Sequence, residues 1–339
     1  MAIRMDARRT FAFLWRSWTV ASGVGREFRN PRRIVLVGAT ASGKSDVAMR
    51  LAERLQGEIV GADSRQIYLG LEIGTEAPTQ EDRARVAHHL VAFLDPAETY
   101  SAGRYGREAR AAILEIESRG NLPIVAGGSG LYIRAALEGL FEGPSRDDTI
   151  RARLTRRIRE EGLDALRREL ERVDPEALAG ILPGDSVRVV RALEIYELTG
   201  RPISALRRER AREPLQALIF GLRWPRPALR DRIAARLDRQ LERGFLEEAK
   251  RLAASALPEH APGPRTLGYR ELLSHLAGAM TLEDARAAIA LKTRQLAKRQ
   301  ETWFRNTPGV HWIELGAPED LARAAREIED RLDHATDRP

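Results

Sequence analysis

Between residues 38 and 45 the chain reads Gly38, Ala39, Thr40, Ala41, Ser42, Gly43, Lys44, Ser45, which fits Gly-x-x-x-x-Gly-Lys-[Ser/Thr]. The residues before it, Ile34-Val-Leu-Val37, are apolar and mostly β-branched, the pattern of a buried strand. Those after it place Val47, Ala48, Leu51, Ala52 and Leu55 at helical spacing over 45–56. In that setting the glycines let backbone N–H groups curl round a phosphate. Lys44 adds a point charge, and the helix N-terminus adds its dipole. Ser45 is a candidate ligand for Mg²⁺. The motif specifies a diphosphate or a triphosphate. It names neither a nucleotide nor the bond that breaks.

The rest of the chain fixes the fold class. Strands are predicted at 58–63, 86–94 and 122–126, with helices at 101–119 and 131–140 between and after them. Strands alternating with helices imply an α/β fold, a P-loop NTPase-like parallel sheet flanked by helices. The rhythm changes at about residue 144. Helical stretches near 147–161, 163–172, 175–180, 185–199 and 202–212 follow one another without a strand, punctuated by Pro175, Pro183 and Pro202. This predicts an all-helical insertion domain over 143–213. Strand character returns at 216–222 and 311–315, with helices at 227–255, 268–277, 281–305 and 318–334. The core domain therefore runs over 31–142 and 214–339, and 1–30 reads as a disordered N-terminal extension.

Composition removes several classes. The 339 residues contain no cysteine, so disulfides, thiolate zinc sites and cysteine nucleophiles are excluded. No uninterrupted apolar run reaches the roughly 18 residues of a membrane span. The six histidines have no metal-ligand spacing, and His88-His89 are adjacent. Of the net charge of +7, most belongs to residues 1–33, where eight arginines face only Asp6 and Glu27. The body is nearly neutral, so nucleic-acid binding has to be argued from local patches.

Asp63 ends the second predicted strand. Ligands of open α/β sheets sit at the carboxyl ends of strands, so Asp63 belongs near the mouth of the phosphate loop. A carboxylate there can take a proton from an incoming nucleophile; it can equally be a helix N-cap. The combination resembles a known family. Asp63-Ser-Arg-Gln-Ile-Tyr68 with Gly74-Thr75, His88-His89-Leu90 and Gly127-Gly-Ser-Gly-Leu-Tyr132 stand in order after the loop. Asp185-Ser-Val-Arg188-Val-Val-Arg191, Leu267-Gly-Tyr-Arg270 and Thr293-Arg-Gln-Leu-Ala-Lys-Arg-Gln300-Glu-Thr-Trp303 follow. In these segments, over about 34–315, the chain is similar to the bacterial tRNA dimethylallyltransferases (tRNA isopentenyltransferases).

The resemblance implies a tRNA-modifying prenyltransferase. Dimethylallyl diphosphate would give its prenyl group to N6 of the adenosine 3′-adjacent to the anticodon, and diphosphate would leave. Residues 38–45 would then bind diphosphate, with Mg²⁺ on Ser45. Asp63, Lys44 and Ser129 would be catalytic, Asp63 as the general base. The tRNA anticodon stem-loop would meet Asp63, Ser64, Arg65, Gln66, Ser129, Arg151, Val187, Arg188, Val189, Val190 and Arg191. Arg265, Gly268, Tyr269, Arg270, Arg294, Gln295, Lys298 and Arg299 would complete that surface. Arg188 and Arg191, three apart on one helix, are expected to meet one phosphate strand. A cytoplasmic monomer with no membrane partner is expected. Two departures stand out: Ala39 where the family usually has Pro, and Ser129 where it usually has Thr. The residues alone also admit an ATP-binding small-molecule phosphotransferase, an adenine-nucleotide prenyltransferase and a non-catalytic RNA-binding module.

Overall fold

The computed structural model describes residues 33–140, 143–144, 146–209, 214–258 and 260–336. The expectation for 1–30 lies outside the described residues. The chain divides into two compact units: among the described residues one is 139–209, and the other comprises those up to Glu138 and from Pro214 onward.

In chain order the elements are β1 (Ile34–Gly38), α1 (Lys44–Arg54), β2 (Gly57–Gly61), α2 (Glu72–Thr75), α3 (Gln80–Arg85), β3 (His88–His89), α4 (Ala102–Ser118), β4 (Leu122–Ala126) and α5 (Gly130–Glu138). The smaller unit holds α6 (Asp148–Glu161), α7 (Leu163–Val173), α8 (Pro175–Ala179), α9 (Ser186–Thr199) and α10 (Ile203–Arg208). The larger unit resumes with β5 (Leu218–Arg223), α11 (Arg226–Glu242), α12 (Phe245–Ala254), α13 (Tyr269–Leu276), α14 (Leu282–Arg305), β6 (Val310–Glu314) and α15 (Asp320–Thr336).

The six strands form one sheet in the order β3-β2-β4-β1-β5-β6, every neighbouring pair parallel. Ile34 lies level with Ile124 on one side and Leu218 on the other. β1 is buried along its whole length, which is why it reads as an unbroken apolar run rather than an alternating one. Its lining continues in Val47, Ala48 and Leu51 of α1, with Ala324, Ala325 and Ile328 of α15 in the same cluster. Truncating a fully buried Leu51 to Ala costs roughly 2–5 kcal/mol. A second cluster joins Ile67, Tyr68 and Leu71 to Phe245, Tyr269 and Ile289.

The smaller unit has a core of its own, made of Leu154, Leu166, Leu170, Val189, Leu193 and Ile203 among others. Asp174 ties it together by accepting from Ala177 N (2.9 Å) and Ser204 N (2.9 Å). Among the described residues of 143–209 there is no strand.

Two predicted elements are corrected. The strand expected at 86–94 shrinks to His88–His89 and one bridge between Tyr68 and Leu94. Leu90 (φ 58°) and Ala92 (φ 45°) are left-handed, a conformation no strand can pass through. The helix expected over 227–255 is two helices, α11 and α12, because Gly244 at φ 97° turns the chain between them.

Candidate active site

The phosphate loop follows β1, an interior strand, so it opens at the carboxyl edge of the sheet. Gly43 sits before α1 at φ 88° and supplies no capping side chain. The first-turn amides of α1 therefore have no protein acceptor within the helix and face outward for an anion. Lys44 Nζ folds back over the loop, donating to Gly38 O (3.0 Å), Ala39 O (2.7 Å) and Ser42 Oγ (3.4 Å). Burial lowers its pKa to about 8; Asp63 opposes the shift, while Arg236 and Arg65 add to it.

The outer side of the loop is held by groups that the sequence did not single out. Trp224 Nε1 donates to Ser42 O at 2.9 Å. Arg232 donates to Ala41 O at 2.8 Å while its guanidinium stacks on Trp224, 4.2 Å from the ring centre. Arg236 Nη1 donates to Thr40 Oγ1 (2.9 Å) and Nη2 to Thr75 O (3.1 Å). Desolvation lowers the Arg236 pKa, the signature of a cation held away from water. The only sequence signal for this pair was the i, i+4 spacing of Arg232 and Arg236 on an amphipathic helix. Thr40 N donates to Gln300 Oε1 at 2.8 Å, so of the predicted phosphate ligands Thr40 does not offer its amide.

Two loops away, Asp63 stands just beyond β2. Its Oδ1 accepts from Arg65 N (3.0 Å) and lies 3.6 Å from Arg65 Nε. Ser129, beyond β4, accepts from Ser64 N at 3.0 Å and reaches Ser64 Oγ at 3.2 Å. Gln66 Nε2 donates to Thr75 O (3.2 Å) and Glu76 O (2.6 Å), which commits its amide nitrogen to the main chain. The loops after β2, β4 and β1, consecutive in the sheet, thus carry Asp63, Ser129 and Lys44. A narrow cleft lies next to the phosphate loop and Arg65. Thr40, Arg65 and Arg236 line its polar part, and Ile233, Leu237, Phe245, Leu267 and Ile289 its apolar part.

The predicted RNA contacts separate into exposed and buried ones. Arg265, Arg270, Arg294, Gln295, Lys298 and Arg299 are exposed. The five cations among them have no ion-pair partner among the described residues. Tyr269 and Gly268 are on the buried side. Tyr269 is fully buried with its hydroxyl on Glu248, and Gly268 N is taken by Glu271 Oε2 at 2.8 Å. In the smaller unit Val187 is 71% exposed, whereas the side chains of Val189 and Val190 are buried.

Arg188 and Arg191 do not form the expected matched pair. Arg188 is exposed and pairs with Asp185 at 3.2 Å. Arg191 and Arg151 both turn onto the buried Glu194 Oε2, at 2.8 and 3.0 Å, and Asp147 N donates to Oε1 at 2.8 Å. Burial pushes the Glu194 pKa up, but these three donors outweigh it and hold the carboxyl below its usual range.

A parallel sheet of this order with a phosphate loop after an interior strand places the chain in the P-loop class of α/β proteins. Residues 66–307 match the family model described as IPP transferase. The tRNA dimethylallyltransferase of Geobacter metallireducens is 44% identical over 291 residues, 85% of this chain and 94% of that one. The full-length tRNA isopentenylpyrophosphate transferase of Bacillus halodurans is 35% identical with a TM-score of 0.66, covering 90% of this chain and 97% of that structure. A eukaryotic dimethylallyltransferase, solved as snapshots acting on tRNA, is 28% identical with a TM-score of 0.74, covering 91% and 80%. The chain belongs to the IPP transferase family.

Proposed function

We propose that this protein transfers a dimethylallyl group from dimethylallyl diphosphate to N6 of the adenosine 3′-adjacent to the anticodon of tRNA, releasing diphosphate. The observation that carries this reading is the convergence of Lys44, Asp63 and Ser129 on the loops after three adjacent strands. Beside them the lining is polar at Thr40 and Arg236 and apolar at Leu237, Phe245 and Ile289, the two kinds of surface that a diphosphate and a short prenyl chain would meet.

In the reaction the C1–O bond of the donor breaks as the N6–C1 bond forms. Charge accumulates on the departing diphosphate. Lys44, the α1 amides and Arg236 lie where they would stabilise it. The N6 proton becomes acidic as the bond forms, and Asp63 takes it. Asp63, Ser64, Arg65, Gln66 and Ser129 would face the adenosine, which must leave its stack to react. Arg151, Val187, Arg188 and Arg191 in the smaller unit, and Arg265, Arg270, Arg294, Gln295, Lys298 and Arg299 in the larger, would carry the anticodon arm.

Mg²⁺ belongs to the same proposal. Ser45 is exposed on the first turn of α1, and no cluster of three acidic or histidine side chains competes for a metal among the described residues. One hydroxyl with substrate phosphates and water is the donor set Mg²⁺ commonly takes. When bound, it would supply neutralising charge to the diphosphate. We read the enzyme as a monomer acting in the cytoplasm; among the described residues no helix is long and apolar enough to cross a membrane.

The test supplies labelled dimethylallyl diphosphate with unmodified tRNA and, separately, with AMP. Label is expected in tRNA, with one diphosphate released per group transferred. Label in AMP alone, or no transfer to tRNA, overturns the reading.

A further inference from the structure

Gln300 is nearly buried, 7% exposed, on the inner face of α14. Its carboxamide spans two loops that belong to different strands. Oε1 accepts from Thr40 N of the phosphate loop at 2.8 Å, and Nε2 donates to Gly128 O at 3.1 Å. Gly128 stands one residue before Ser129, whose hydroxyl holds Ser64 beside Asp63. The side chain is therefore a strut. One end fixes the loop assigned to the leaving group, and the other fixes the loop of Ser129, which in turn holds Ser64 next to the base.

The packing around the strut is tight. A Cβ on Gly128 would fall 2.1 Å from Gln300 Nε2, and one on Gly130 would fall 2.0 Å from Trp303 Nε1. Glycine at both positions lets α14 press against the loop, so the spacing between the loops is set by the length of one glutamine. The same helix turns Arg294, Lys298 and Arg299 outward.

We propose that Gln300 is a positioning residue for the transfer: it sets the separation between the diphosphate loop and the Asp63–Ser129 side of the site. The proposal rests on the prenyl-transfer reading above. Displacement at carbon needs the nucleophile, the carbon and the leaving oxygen in line. A misplacement of about 1 Å can cost roughly 10²-fold in rate without loss of binding. Gln300 touches neither reactant in this scheme. It acts through Thr40 and Gly128.

The experiment compares wild type with Gln300→Met, similar in length but without hydrogen bonds, and with Gln300→Glu. The readouts are single-turnover transfer at saturating tRNA and donor, the tRNA dissociation constant, and inhibition by inorganic pyrophosphate. Gln300→Met is expected to lose about ten- to a hundredfold in single-turnover rate, with tRNA and pyrophosphate affinities within about threefold of wild type. Gln300→Glu tests the donor end independently. Ionised, it cannot donate to Gly128 O; protonated, it can. Its rate relative to wild type is expected to rise as pH falls through the titration of the introduced carboxyl.

Three results overturn the proposal. A Gln300→Met rate within threefold of wild type removes the strut. Parallel loss of both affinities makes the residue a fold element. A Gln300→Glu ratio that stays flat with pH does the same, even if Gln300→Met fails to fold. Failure of wild type to prenylate tRNA instead refutes the functional reading, which the wild-type arm reports separately.

Discussion

Lys44 sits at a balance that pH can tip. Burial has brought its pKa down to about 8, although it lies beside Asp63. It is charged below that value and neutral above it, and only the charged form attracts a diphosphate. In the free enzyme, affinity for pyrophosphate should therefore fall as pH rises through about 8. Titrating pyrophosphate inhibition between pH 6.5 and 9.5, on the order of the range where such a group changes charge, reads this directly. Lys44→Arg should shift the decline to higher pH, because guanidinium stays charged. Lys44→Ala should fold and lose nearly all transfer. Asp63 is the second test at this scale. Asp63→Ala should cut the single-turnover rate by roughly 10²–10⁴-fold while the tRNA KM changes far less. A rate within threefold of wild type would show that another group takes the proton.

The elements show which parts of the chain announced themselves. β1, α1 and the loop between them were legible because an eight-residue motif and two hydrophobic periods agree over that stretch. The break at Gly244 was not, because apolar periodicity continues across it and a lone glycine inside a helical pattern is often tolerated. The shortened β3 was hidden too: nothing local marks Leu90 and Ala92 as left-handed. In the site, Asp63 and Ser129 stood in recognisable segments. Arg236 and Trp224 did not, since their roles come from contacts across 196 and 182 residues. In α9, Arg188 and Arg191 looked equivalent in sequence and part company on Glu194. Arg191→Ala removes a donor from a carboxylate with no exposure, at about 1–3 kcal/mol, and should lower the melting temperature. Arg188→Ala loses only an exposed i, i+3 pair, at about 0.5 kcal/mol, and should leave stability nearly unchanged while raising the tRNA KM. Thermal melts and tRNA kinetics on both variants separate the two roles; equal melting shifts would contradict the Glu194 assignment.

For the molecule as a whole, the charge ledger decides how RNA affinity must be built. Residues 34–339 are almost neutral, so no general attraction to polyanions is available from them. Affinity has to come from places where cations are concentrated and not already paired. Most arginines in the described residues of the smaller unit are spent on neighbours, as Arg153 is on Glu197 and Arg157 on Glu161 and Glu169. On α14, Arg294, Lys298 and Arg299 are exposed and unpaired among the described residues. Changing all three to Ala should weaken tRNA binding and flatten its dependence on salt. With each phosphate contact contributing roughly 0.7–0.9 to the slope of log K against log salt, the triple variant should lose about 2 units of slope. The chemical step at saturating tRNA should be nearly intact, because these side chains face away from Gln300 and the loops it spans. Measuring tRNA affinity from low to moderate salt on both proteins tests this. An unchanged slope would mean that α14 does not meet the phosphate backbone, and the RNA contacts would have to be sought elsewhere on the protein.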